Sequence, residues 1–191
     1  MSKPRALVAL ALLLTAGAAT AHPGHETISF ASGFGHPLGG IDHMLAMLAV
    51  GLYAAHQRGT ARWALPAGFI AAMLSGAALG AADIALPGVE AGVSASLLVF
   101  GLLIAFAVRL PLTAAIPLIS AFALFHGHAH HAEMASNAFV SYTAGFALAT
   151  AALHAIGYLA ACHMPESRFG AYVRRTIGLA IGGAGILLLG A

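Results

Sequence analysis

Apolar residues run along the chain in six long stretches, at 37–56, 63–82, 89–108, 111–128, 137–161 and 173–190. A helix crossing a bilayer needs about 20 such residues, and each stretch is close to that length. Turn and charge signals fill the joints: HQRGTAR, DIALPG, RLP, HAHHAEMASN and CHMPESRFGAYVRR. Connections this short make successive helices antiparallel neighbours. The pattern predicts an all-α polytopic membrane helix bundle with six transmembrane helices.

A seventh apolar run precedes these six. Lys3 and Arg5 open it, residues 6–18 form a short apolar core, and Ala19–Thr20–Ala21 closes it with small residues. That order is the layout of a secretory signal peptide. Cleavage after Ala21 leaves His22 as the new N-terminus, in HPGHE. The expected organisation is a signal peptide at 1–21 and one transmembrane domain at 22–191. The expected location is the bacterial inner membrane, with a periplasmic mature N-terminus. The loops after the first, third and fifth helices then lie inside, and they hold Arg58, Arg62, Arg109, Arg168, Arg174 and Arg175. This is the distribution the positive-inside rule requires.

Composition agrees. Hydrophobic residues make up 60% and charged residues 7%, against roughly 25% charged in soluble domains, so the partner of the outer surface is lipid. A net charge of +2 with no basic cluster excludes nucleic acid as a partner. One cysteine, Cys162, excludes a disulfide framework and an all-thiolate metal site. Gly76/Gly80 and Gly178/Gly182 stand in GxxxG spacing, which lets helix backbones approach closely. Internal packing is the first reading of these stripes and a homo-oligomer seam the second. Pro66 and Pro117 lie inside spans and are expected to kink them.

What remains unexplained is the placing of the eleven histidines. HPLGGIDHMLAMLA, at 36–49, puts His36, Asp42 and His43 at the start of the first span; Pro37 suits a helix start there. His36 and His43 are seven residues apart and so share one side of a helix, unless His36 sits on a bent lead-in loosened by Gly39 and Gly40. FHGHAHHAE, at 125–133, puts His126, His130 and Glu133 on one helical stripe at the end of the fourth span. Ionisable groups at membrane depth are costly and mark function. Together the six form a nitrogen and oxygen donor set suited to divalent transition metals and without the sulfur that favours copper(I). Accessory candidates are His22, His25, His128, His131 and His154; His154 reads equally well as a packing residue, and Pro23 keeps the tail from offering a backbone-amide ligand.

These motifs also carry a resemblance. HPLGGIDHMLAMLAVG is similar to the HPxxGxDH signature of the HupE/UreJ family of nickel and cobalt permeases, and FHGHAHHAE resembles its FHGxAHGxE signature. YTAGFALATAALHAIG around His154 fits as well, and His131 departs from the usual glycine. The resemblance implies a six-helix permease importing Ni²⁺ or Co²⁺, with His36, Asp42, His43, His126, His130 and Glu133 at the matching positions. It implies a transporter and not an enzyme, with the metal as transported ion and no permanent cofactor. Two alternatives stand beside it. One is a membrane-bound metal-dependent hydrolase, although no HExxH is present; the other is a metal sensor or accessory protein for metalloenzyme assembly.

Overall fold

A computed structural model of the chain describes residues 29–131 and 139–190. Among these residues the fold is all-helical, with seven helices and no strand: α1 Phe30–Gly39, α2 Ile41–Ala55, α3 Ala61–Ala81, α4 Val89–Ala105, α5 Leu112–His131, α6 Phe139–Cys162 and α7 Arg168–Leu189. The expected signal peptide, with His22 and His25, lies outside the described residues.

α3, α5, α6 and α7 are long and apolar enough to cross a membrane. Their outward faces carry Leu148, Ile156, Leu159, Leu179 and Ile186 exposed, whereas Ser96, Thr150, His126, His130 and His154 are buried. A soluble domain would sort these residues the other way. α4, at 17 residues, is shorter than the other four.

The first expected span is corrected. It is not one rod from 37 to 56 but two helices, α1 and α2, meeting at Gly40 with an 87° bend. α1 begins earlier than the hydropathy suggests because Ser29 caps it: its side chain accepts from Ser32 N–H, and Ser32 returns the bond to Ser29 N–H. Pro37 does not start a helix. It sits in the last turns of α1, where its missing N–H and the break at Gly40 end the hydrogen-bond ladder. Gly40 itself is extended, with φ −99° and ψ 115°. α7 starts at Arg168 instead of 173, because Ser167 caps it by accepting from Gly170 N–H at 3.3 Å. Pro66 and Pro117 lie within α3 and α5, each of which runs on as a single helix.

Three close helix pairs build the bundle, each through glycine. α2 and α6 cross where Gly51 meets the His154 carbonyl and Gly157 meets the Leu48 carbonyl. α3 and α5 meet through Gly76 and Gly127, and α4 and α7 through Gly101, Gly178 and Gly185. The Gly178 stripe therefore serves internal packing. α1 lies across α6, with Gly33 against Tyr142 and Gly145 against Phe30. This sorting leaves every arginine of the described residues at the end formed by the C-termini of α2, α4 and α6, while the motif histidines gather at the other.

Candidate metal-binding site

Three helices deliver the histidine cluster. His36 comes from α1, Asp42 and His43 from the first turn of α2, and His126 and His130 from successive turns at the end of α5. Ring centroids lie 4.5 Å apart for His36–His130, 4.3 Å for His43–His130 and 4.9 Å for His43–His126. His126 and His130 are buried, at 0% and 2% exposed. α6 closes the side of the cluster with Phe146, 3.9 Å from the His130 ring centre, and Tyr142, 5.9 Å from that of His36.

The hydrogen bonds fix where the lone pairs point. The Asp42 carboxylate accepts from His43 Nδ1 at 2.9 Å and from the His43 backbone N–H at 2.8 Å. His43 Nε2 is thereby left as the unprotonated nitrogen. Ser96 gives its one hydroxyl proton to the Val93 carbonyl at 2.6 Å, so it accepts from His126 Nε2 at 2.9 Å. His126 Nδ1 then carries the lone pair. His43 Nε2, His126 Nδ1 and His130 Nε2 are all buried without a hydrogen-bond partner, and unpaired buried polar atoms are rare enough to need a reason. The same polarity argues against Ser96 as a nucleophile activated by His126, since the base of a nucleophilic pair must accept the serine proton, and here the histidine donates.

Five of the six expected donors thus meet at one end of the bundle. Glu133 lies outside the described residues, as do the side chain of His131 and the tail residues His22 and His25. The seven-residue spacing of His36 and His43 is not what unites them, because they sit on different helices and the bend at Gly40 turns His36 toward α5. His128 points away from the cluster, with Nε2 3.0 Å from the Ile84 carbonyl. His154 is deeper and separate, bonded through Nδ1 to the Met47 carbonyl at 2.8 Å. Ser96 is the partner that sequence reading missed; a serine amid the apolar residues of α4 was the available signal. Among the described residues no three His, Cys, Asp or Glu side chains converge closely enough to hold one ion. The imidazoles pack edge to face against one another, so ligation requires the rings to turn.

The comparisons with known proteins bear on the same residues. The family described as HupE / UreJ protein matches residues 10–188, a span that holds both histidine motifs. The chain belongs to the HupE/UreJ family. Within that family it is similar to Protein HupE of Rhizobium leguminosarum bv. viciae, with 40% identity over 182 residues covering 94% of each chain. No solved structure matches. Membership in the HupE/UreJ family is consistent with a role related to nickel or cobalt transport and goes with the helical, lipid-facing architecture.

Proposed function

We propose that the protein carries Ni²⁺ or Co²⁺ inward across the bacterial inner membrane. In this reading α1 and α2 together make the first crossing, α3 to α7 make the other five, and cleavage after Ala21 leaves a periplasmic N-terminus. The histidine end then faces the periplasm and the arginine end the cytoplasm, in line with the positive-inside rule.

One observation carries the proposal: buried imidazoles from α2 and α5 gather beside an α1 histidine and one carboxylate, and His43 Nε2, His126 Nδ1 and His130 Nε2 have no hydrogen-bond partner. Such a site strips part of the hydration shell from a borderline divalent ion and replaces it with neutral nitrogen. Asp42 offsets part of the charge directly and through its hydrogen bond to His43, the arrangement in which a carboxylate orients a ligating imidazole. Glu133, three residues beyond His130, supplies a second carboxylate. Conduction needs sites that bind well enough to capture and loosely enough to release.

Reconstituted vesicles test this directly. Wild type should accumulate radiolabelled nickel or cobalt, and Asp42→Ala and His130→Ala should not. Ion binding without flux would instead support a sensor or accessory role, and flux in both variants equal to wild type would remove these residues from the path.

A further inference from the structure

Immediately beneath the histidine cluster, three helices contribute five residues, and two of those helices each supply a pair one turn apart. α2 carries Met47 a turn below His43, α3 carries Phe69 and Met73, and α6 carries Thr150 and His154. Met47, Phe69, Met73 and Thr150 are fully buried, and His154 is 3% exposed. Thr150 Oγ1 lies 3.3 Å from Met47 Sδ and 3.6 Å from Met73 Sδ, so one hydroxyl proton is shared between two thioethers. The His154 ring gives its Nδ1 proton to the Met47 carbonyl, which leaves Nε2 as a lone pair, buried and without a partner. Phe69 stands between the two groups, 5.6 Å from the His126 ring centre and 5.1 Å from that of His154.

Packing alone does not account for this. Methionines fill irregular cores, but a leucine or phenylalanine at 154 would fill the same space without stranding a nitrogen lone pair in a dry interior. We propose that His154, Thr150, Met47 and Met73 form a second, inner station for the transported ion, reached from the histidine cluster past Phe69. The inference rests on the permease reading above. Its donor set is one imidazole nitrogen, one hydroxyl oxygen and two thioether sulfurs, which suits a borderline transition-metal cation and rejects hard ions such as Mg²⁺. None of the four is a carboxylate, so nothing there neutralises the ion. It is held more weakly than at the cluster containing Asp42, as a transit site should hold it.

The test uses the full chain in vesicles, measuring initial uptake of Ni²⁺ and Co²⁺ against external concentration. His154→Gln, Thr150→Val and the double variant Met47→Leu/Met73→Leu are compared with wild type. The methionine swaps keep volume while removing sulfur. The expected result is a maximal rate lowered about tenfold with half-saturation within about twofold, because the capture site is intact and the next step is slowed. If His154→Gln does not fold, the thioether pair and Thr150→Val carry the test. Variants with wild-type thermal unfolding and wild-type maximal rate would overturn the inner station while leaving the permease reading in place. A wild type that moves no ion would overturn both.

Discussion

The two ends of the bundle are built from the same apolar helices yet treat polar groups in opposite ways. At one end imidazoles are buried and face inward, with one carboxylate and one serine fixing which nitrogens are bare. At the other, guanidinium groups surround a cavity of about 790 Å³ lined by His56, Arg109, Cys162, Glu166, Arg168 and Arg174. Arg109 anchors there by donating from Nε to the His56 carbonyl at 2.8 Å, and Arg175 lies 5.6 Å from the centre of the Phe106 ring. Imidazole exchanges a proton for a metal near neutral pH, whereas guanidinium keeps its charge and repels cations. In the permease reading proposed above, one end receives the dipositive ion and the other fixes the orientation of the chain.

The largest effect should come from breaking the frame both ends share. Gly51→Val places a side chain against the His154 carbonyl, where α2 crosses α6. Overpacking of this kind costs about 3 kcal/mol, and the yield of folded protein and its unfolding temperature should both fall sharply. Next, His130→Ala should lower uptake by at least about a hundredfold with unfolding temperature little changed, because it removes a ligand from the centre of the cluster. Ser96→Ala should raise the half-saturation concentration about tenfold, since His126 loses the partner that exposes Nδ1; unchanged half-saturation would show that the tautomer does not matter. The smallest effect belongs to His128→Ala, within about twofold, a change no larger than that of an ordinary surface substitution.

The sequence carried much of this arrangement. α3, α5 and α6 follow the apolar runs at 63–82, 111–128 and 137–161 within three residues at each end. The two motifs also announced that their donors belong together. What hydropathy could not reveal was the bend. FASGFGHPLG is broken by glycine, serine and proline, so it reads as a connection, and only the reciprocal Ser29–Ser32 cap and the crossing with α6 make it a helix. The start of α7 was hidden in the same way, because Arg168, Arg174 and Arg175 lower its mean hydropathy while Ser167 caps it. Ser96, Met47, Met73 and Thr150 have ordinary side chains for a membrane helix. Their significance comes from neighbours 30 to 107 residues away, which no local pattern encodes.

The corner at Gly40 has backbone angles that any amino acid can adopt, so alanine could turn it equally well. What alanine could not do is leave room. A methyl group there would stand 2.9 Å from the Asp42 carboxylate oxygen and 3.3 Å from His43 Nδ1, prying apart the acid and the ring it orients. The bare α-carbon at this position is therefore a matter of clearance and not of flexibility, and the smallest possible side chain would be felt first as a misaimed imidazole.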